Sequence, residues 1–432
     1  MENLEEYYGR LFTESQLNPS LKKIAQSMPA MTESKGRYCC NRCGSQVSTD
    51  NRLPTGDYYC RECIILGRIC STDKLYYFSQ QSFFPQKVLK WSGQLTPYQA
   101  EVSDGLLEGL KSKRDLLVHA VTGAGKTEMI YQVVAKVIEN GGSVCLASPR
   151  IDVCLELFKR LSKDFSCPIT LLHGESDSYQ RAPLIVSTTH QLLKFYEAFD
   201  LLIIDEVDAF PFVDNSVLYH AVEQSIKPDG VKIFLTATST DELEKKVKRG
   251  ELTKLHLARR FHANPLVIPQ TVWLTQLSEK MKKQKLPHKL IHLIQKQRQT
   301  RFPLLLFFPN IKNGQIFTRL LADYFPDEKV AFVSSQTENR LEIVEQFRLQ
   351  EITMLVSTTI LERGVTFPCV DVFVLQANHR LYTRSALVQI SGRVGRSAER
   401  PTGELLFLHD GLSKAMQKAI REIREMNKKG GF

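Results

Sequence analysis

From Leu95 onward, short runs of apolar residues alternate with longer stretches in which apolar positions recur at helical spacing. The runs Leu116 to Ala120, Ser143 to Ser148, Leu184 to Ser187, Leu201 to Ile204 and Lys232 to Thr236 predict strands. Thr127 to Glu139 and Asp152 to Lys163 predict helices between them. Strands apolar on both faces and separated by helices belong to βαβ units, so a buried parallel sheet is expected. After Pro265 to Pro269 the pattern restarts. Pro303 to Phe308, Lys329 to Val333, Thr353 to Ser357, Asp371 to Leu375 and Glu404 to Leu408 read as strands, again with helices between. The pattern therefore predicts two α/β domains in tandem.

The chain before Leu95 has a different texture. Residues 1 to 35 are polar and read as helical in parts or mobile, and Phe78 to Gly93 is an aromatic, Pro-containing connector. Between them, residues 36 to 70 are rich in Cys, Gly, Asn, Arg and Tyr, with few aliphatics before Ile64. Such a stretch cannot build a core from its side chains alone. Cys40-x-x-Cys43 and Cys60-x-x-Cys63 supply another source of order. Each pair fits a tight knuckle with converging sulfurs, and two knuckles complete a tetrahedral S4 shell for Zn2+. Metal binding then becomes folding free energy. Four thiolates leave no open coordination position, so this metal is structural. Two disulfides or free thiols are the alternatives, and Cys39 and Cys70 are the nearest substitute ligands. Cys145, Cys154, Cys167 and Cys369 fall in predicted strands or helices and read as small core residues. The expected boundaries are 1–90 for the cysteine-bearing region, 91–265 for a first α/β domain and 266–432 for a second α/β domain.

Composition narrows the class. A length of 432 residues fits two to three domains, and 43% hydrophobic with 24% charged residues excludes wholesale disorder and a disulfide miniprotein. Fifty-seven Lys and Arg against 47 Asp and Glu give +10, a balance that favours polyanions. The longest strictly apolar stretch, Leu304 to Phe308, is far short of the roughly 20 residues of a spanning helix. The acidic start MENLEEYY lacks the apolar core of a secretory signal, so a cytosolic protein is expected. Reducing conditions there favour metal over disulfides for the cysteines.

Three constellations carry candidate chemistry. Ala120-Val-Thr-Gly123-Ala124-Gly125-Lys126-Thr127 follows an apolar run and opens a helical one, the context of a phosphate-binding loop. Its glycines let backbone N–H groups turn toward phosphate oxygens, Lys126 reaches the β- and γ-phosphates of ATP, and the Thr127 hydroxyl joins a Mg2+ shell. Leu201-Leu-Ile-Ile-Asp205-Glu206-Val-Asp208 puts two acids at the end of a buried strand. Asp205 is placed to hold Mg2+, and Glu206 to orient and deprotonate an attacking water. Gln389-Ile-Ser-Gly392-Arg393-Val-Gly395-Arg396 offers two guanidinium forks suited to a transferring phosphoryl group. Arg396 is the candidate arginine finger, with Arg393 beside it on the γ-phosphate.

With Ala at position 120 and the remaining pattern AxxGxGKT, the chain resembles superfamily 2 helicases and translocases from Leu95 to about Leu408. The resemblance implies two RecA-like domains, with ATP and Mg2+ gripped by Lys126, Thr127 and Asp205 on one side and Arg393 and Arg396 on the other. It also implies adenine recognition by Gln99 in Leu95-Thr-Pro97-Tyr-Gln99, and a nucleotide role for Gln389. Pro149 and Arg150 in Ser148-Pro149-Arg150, and Thr189 in Thr188-Thr189-His190, match segments that touch the nucleic-acid backbone. Asn310 in Phe308-Pro-Asn310 and Thr358 in the stretch Thr358 to Gly364 match their second-domain counterparts. Thr366 stands where the family usually has Asp. Thr236-Ala237-Thr238 matches the segment coupling hydrolysis to domain movement.

Joined to the four-cysteine module, these motifs more narrowly resemble the late competence protein ComFA family of Gram-positive bacteria. That resemblance implies a cytosolic ATPase of transformation acting on single-stranded DNA. It further implies partners such as ComFC and the membrane DNA channel, attachment at the inner face of the membrane through them, and leaves a homo-oligomer open. The primosomal helicase PriA is similar in the motor but carries more zinc cysteines, inserted between motor motifs. A duplex-unwinding helicase of replication restart or repair is the rival within the class. A non-enzymatic zinc-dependent DNA or protein adapter is the rival outside it.

Overall fold

The computed structural model describes residues 4–176, 178–362, 365 and 367–432. The chain divides into two compact units. One holds the residues up to His119 together with Lys126–His256, and the other holds Ala120–Gly125 with Leu257–Phe432. The division falls inside the candidate phosphate loop.

The N-terminal part of the first unit contains strands as well as the expected helix. Strands β1 (Leu11–Thr13), β2 (Gln26–Pro29), β3 (Met31–Ser34), β4 (Arg37–Cys40) and β5 (Lys74–Tyr77) form a three-stranded antiparallel sheet in the order β1-β5-β2 and a β3–β4 hairpin. Helix Pro19–Ile24 starts at Asn18, whose Oδ1 accepts from Leu21 N at 2.9 Å. These strands escape sequence patterning because each spans three or four residues, too short for alternation to show, and β5 lies far along the chain from its partners.

The cysteine segment does not stand alone. Cys40, Cys43, Cys60 and Cys63 share one continuous core with Met31, Ile69 and Leu75 and with Phe195, Phe212 and Leu218 of the α/β body. Tyr77 and Tyr196 meet with ring centroids 4.5 Å apart. At Gly44 a Cβ would lie 2.7 Å from Cγ of His220, so this knuckle presses directly on helix Ser216–Ser225. The connector is likewise fastened. Phe83 N donates to Gly141 O, Lys90 N to Asp164 O and Ser166 N to Val88 O, each at 2.8 Å.

The α/β body carries β6 (Leu116–Ala120), β7 (Val144–Ser148), β8 (Ile169–Leu172), β9 (Leu184–Thr188), β10 (Phe199–Ile204), β11 (Ile226–Thr236) and β12 (Thr253–Leu257). Their order is β12-β6-β11-β10-β7-β9-β8. From β6 through β8 every neighbouring pair is parallel. The five expected strands are present, and β11 begins six residues earlier than its apolar run implied. The predicted helix after the phosphate loop is two segments, Lys126–Met129 and Tyr131–Glu139. Strand β8 is only partly buried at one edge, which weakened its apolar signature.

The second unit repeats the plan. Strands β13 (Gln270–Trp273), β14 (Leu304–Phe307), β15 (Val330–Val333), β16 (Met354–Ser357), β17 (Asp371–Val374) and β18 (Leu405–His409) form an all-parallel sheet ordered β13-β18-β17-β14-β16-β15. Strands β14, β16, β17 and β18 are buried along their whole length, as continuous apolar runs require. Both parallel sheets and the cysteine cluster match the expected architecture.

A titratable side chain, His119, lies among the buried residues of the first sheet. His119 of β6 is buried, with Nε2 3.1 Å from Ala237 O. Burial, followed by the positive charge of Lys254, pushes its pKa down to about 4, with His256 adding to the lowering and Glu244 and the Ala237 carbonyl opposing it. The unfolded chain takes up this proton near pH 6.5, the native fold only near 4, so stability must fall as pH drops through that window. The loss is about 3 kcal/mol. Urea denaturation at pH 6.5 and 4.5 checks it: the wild type should lose more stability than His119→Gln, which keeps a donor for the carbonyl and cannot titrate. Equal losses would rule out His119 as the titrating group.

Candidate functional site

Strands β6, β10 and β11 all end at the carboxyl edge of the first sheet, where parallel α/β folds gather their ligand sites. The turn after β6 is the phosphate loop. Gly123 and Gly125 have φ of +79° and +74°, values that glycine adopts freely and other residues resist. The loop's backbone therefore needs glycine at both positions. Ala124 is buried between them. Helix Pro97–Lys111 packs against both Lys126–Met129 and Tyr131–Glu139. Gln99 lies in its first turn, buried, with Oε1 accepting from Thr96 N at 3.0 Å while Thr96 Oγ1 accepts from Gln99 N at 3.3 Å. This reciprocal cap fixes the Gln99 side chain at the helix entrance.

The turn after β10 carries the acids. Asp205 N donates to Ala147 O at 2.8 Å, which continues the β10–β7 ladder by one residue and aims the carboxylate past the sheet edge. Asp205 Oδ1 accepts from Lys126 Nζ at 3.3 Å and from Glu206 N at 2.8 Å. Lysine and aspartate from widely separated segments thus form one ion pair, with both side chains mostly buried. Glu206 has a φ of +55°, a strained conformation for a residue with a side chain and a recurrent sign of functional placement. Thr127 follows Lys126 in the same short helix.

Two residues further on, Asp208 is buried and accepts from Thr236 Oγ1 at 2.8 Å. Thr236 Oγ1 in turn accepts from Thr238 N at 3.0 Å. The acidic turn and the Thr236-Ala237-Thr238 turn are therefore linked through one buried hydroxyl, and His119 reaches the same turn through the Ala237 carbonyl. Sequence reasoning assigned His119 and Asp208 no role. Asp208 was legible as an acid beside Asp205 and Glu206, whereas nothing in the sequence marks His119.

The nucleic-acid candidates sit at corresponding strand ends. Pro149 and Arg150 lie half-buried in the turn after β7, ahead of helix Ile151–Asp164. Thr189 follows β9 and is wholly buried, while its neighbour His190 is exposed. In the second unit, Asn310 caps helix Ile311–Tyr324, its Oδ1 accepting from Asn313 N at 2.9 Å. Thr358 follows β16 and its N–H donates to Val333 O at 3.3 Å. Arg363, Gly364 and Thr366 lie outside the described residues.

Gln389 lies on helix Arg384–Ser391, and the Gly392–Arg396 turn follows it. Gln389 and Arg393 are buried, and Arg396 is half-buried. Within the second unit, a Cβ at Gly123 would lie 3.7 Å from Arg396 Cγ. The glycine face of the phosphate loop thus borders the candidate arginine.

The four cysteine sulfurs form a second constellation. Cys40 Sγ lies 3.7 Å from Cys63 Sγ, Cys43 Sγ lies 3.5 Å from Cys60 Sγ, and all four are within 4.8 Å of one another. None is in a disulfide. A tetrahedral thiolate site with bonds of about 2.3 Å has sulfur–sulfur edges of about 3.8 Å, so the cluster has the size of a metal shell. Hydrogen bonding, foremost from Cys40, holds the Cys43 thiol far below the usual range, while Cys40 is pushed far above it. Arg42 is buried beside them and donates from Nε to Cys63 Sγ at 3.3 Å, from Nη2 to Cys63 O at 2.9 Å and from Nη1 to Leu66 O at 3.1 Å. Sequence reasoning passed over Arg42, an arginine between two ligand cysteines that looks like an ordinary exposed loop residue.

Comparison with known proteins draws these features together. The DEAD/DEAH box helicase family matches residues 96–246, the helicase conserved C-terminal domain matches residues 284–398, and the competence protein ComFA N-terminal domain matches residues 8–77. The chain is 61% identical to competence protein ComFA of Streptococcus pneumoniae over 427 residues, 99% of each chain. It is 38% identical to competence protein ComFA of Bacillus subtilis, covering 91% of this chain and 86% of that one. Among solved structures, S. cerevisiae Dbp5 bound to RNA and ADP BeF3 superposes with a TM-score of 0.57 at 18% identity, over 77% of this chain and 88% of the other, a likeness of fold. The chain therefore belongs to the competence protein ComFA family, and its α/β units are those of an ATP-hydrolysing helicase or translocase.

Proposed function

We propose that this protein hydrolyses ATP to move along single-stranded DNA entering the cell during natural transformation. The observation carrying this reading is the Lys126–Asp205 ion pair beside strained Glu206, in a chain of the ComFA family. In this reading Gly123, Ala124 and Gly125 cradle phosphate with their N–H groups, Lys126 neutralises the β- and γ-phosphates, and Gln99 reads adenine. Asp205 and Thr127 would hold Mg2+, which fits the oxygen donors that ion prefers, and its charge offsets that of the phosphate oxygens. Glu206 orients the attacking water and takes its proton. Arg396, with Arg393 and Gln389 behind it, stabilises the charge that spreads over the transferring phosphoryl group.

Loss of the γ-phosphate removes a ligand from the loop and frees Lys126, whose partner in this structure is Asp205. The Asp208–Thr236 bond passes that change to the Thr236-Ala237-Thr238 turn. Pro149, Arg150, Asn310 and Thr358 are the proposed contacts to the nucleic-acid backbone, a sequence-independent and salt-sensitive grip, and Thr189, wholly buried in this structure, joins them only if its turn opens. The cysteine cluster is proposed to bind Zn2+, and its region, 1–90, to serve as a docking platform beside motor domains 91–265 and 266–432. No helix among the described residues is long and apolar enough to cross a membrane. Attachment to a membrane DNA channel, and any joint action with ComFC, is accordingly proposed to run through protein contacts.

Steady-state ATPase assays with single-stranded DNA, double-stranded DNA and RNA test this reading directly. Single-stranded DNA should stimulate most. Rapid ATP-dependent opening of a forked duplex would instead favour an unwinding helicase, and no hydrolysis with any nucleic acid would favour the adapter.

Three variants should separate the roles. Lys126→Ala should abolish turnover, and full activity in it would falsify the phosphate-loop assignment. Glu206→Gln should bind ATP yet hydrolyse it poorly. Arg396→Ala should lose about 10³-fold in kcat with a much smaller change in ATP affinity.

For the cysteine cluster, Cys40→Ser combined with Cys43→Ser should release Zn2+ and destabilise the first 90 residues. Elemental analysis showing an unchanged zinc content rules the site out.

A further inference from the structure

The segment that opens the second unit crosses the phosphate loop and then reaches the arginine-bearing turn. Val121 N donates to Leu257 O and Phe261 N donates to Gly123 O, both at 3.0 Å. Leu257 through Phe261 thus runs alongside the loop and bonds to it at two points. The side chain of Arg260, between those points, goes elsewhere. Its Nη1 donates to Val394 O at 2.8 Å and to Gly395 O, and its Nη2 donates to Gly392 O at 3.2 Å.

These three carbonyls belong to the turn that ends helix Arg384–Ser391. All three lie past the last helical residue, at the end where a helix carries partial negative charge, so a guanidinium is well matched to them. The turn is tight. Gly395 has a φ of +64°, and a Cβ there would lie 2.2 Å from Pro401 O and 3.3 Å from Arg260 Nη1. Glycine at 395 is what lets the guanidinium and the turn come together.

Arg260 is only 3% exposed, and no carboxylate of the described residues pairs with it. A buried cation held by carbonyl dipoles alone is costly to maintain, and packing could fill the space with an apolar side chain. Burial, and then the nearby positive charge of Arg396, lowers its pKa to about 10, which leaves it charged at neutral pH. Both arginines border the phosphate loop: a Cβ at Gly123 would lie 3.7 Å from Arg396 Cγ and 3.9 Å from Arg260 Cγ.

We infer that Arg260 is a positioning residue for nucleotide hydrolysis: it braces the Gly392–Arg396 turn against the segment bonded to the phosphate loop, so that Arg396 is held beside Gly123. None of the helicase motifs recognised in the sequence includes this residue. Its backbone neighbours are bonded to the loop and its side chain is bonded to the turn, which makes it the link between the two. This inference rests on Arg396 acting on the phosphoryl group.

A double-mutant cycle in the full-length protein tests it. Single-stranded-DNA-stimulated kcat and KM for ATP are measured for Arg260→Gln, Arg396→Ala and the pair. Arg260→Gln should lower kcat by about 100-fold, the scale of a small misplacement of a catalytic group, with KM for ATP near the wild-type value. The pair should be no slower than Arg396→Ala alone, because Arg260 acts only through that residue. Multiplying losses would overturn the role of Arg260 while leaving Arg396 as the finger, as would wild-type kcat in Arg260→Gln. Wild-type kcat in Arg396→Ala would overturn the finger and this inference together. Should Arg260→Gln fail to fold, Arg260→Lys takes its place in the cycle: it keeps the cation but loses the two-nitrogen fork, and the same non-additivity is required of it.

Discussion

A strand buried on both faces must pair its backbone N–H and C=O groups with neighbouring strands, because water cannot reach them. In the first sheet that constraint fixes β6, β11 and β10 side by side, all running the same way. Their carboxyl ends then deliver the phosphate loop, the Thr236 turn and the acidic turn to one rim. Lys126 meets Asp205 because two strands of a common direction end together, even though the residues lie far apart in the chain. A slip in the pairing of β10 would carry Asp205 away from Lys126 and separate Asp208 from Thr236. The chemistry depends on register before it depends on any single side chain.

The polar bonds at that rim form a connected series. Lys126 to Asp205, Asp208 to Thr236, Thr236 to Thr238, and His119 to Ala237 tie three turns that all leave the same sheet. Buried polar groups joined this way resist independent motion, since breaking one leaves its partner unsatisfied in a low-dielectric interior. The second unit has its own version, in which one guanidinium holds three carbonyls of a glycine-containing turn.

Much of this was legible in the sequence, for physical reasons. Continuous apolar runs such as Leu304 to Phe308 and Leu201 to Ile204 can be satisfied only inside a covered sheet, so β14 and β10 announced themselves. The cysteine pairs were equally clear, because sulfur at that spacing in a segment with few aliphatics has few other uses. The short strands β1 to β5 were hidden, since their stability comes from long-range pairing and from the core they share with the α/β body. His119, Arg42 and Arg260 were hidden for a related reason. Each is a polar residue whose value comes from burial against groups distant in sequence, and no local pattern records burial of that kind.

The contact between Gly44 and His220 carries a consequence for how this architecture can be altered. Helix Ser216–Ser225 lies on the path from the acidic turn to β11, and its Leu218 belongs to the same apolar interior as the cysteines. The metal-shell region is therefore a wall of the motor's own interior rather than a detachable accessory. A shortened chain beginning at the phosphate-loop domain would open that interior to water. Grafting this region onto an unrelated motor would require carrying the receiving helix along with it, so the two have to be inherited, and engineered, as one piece.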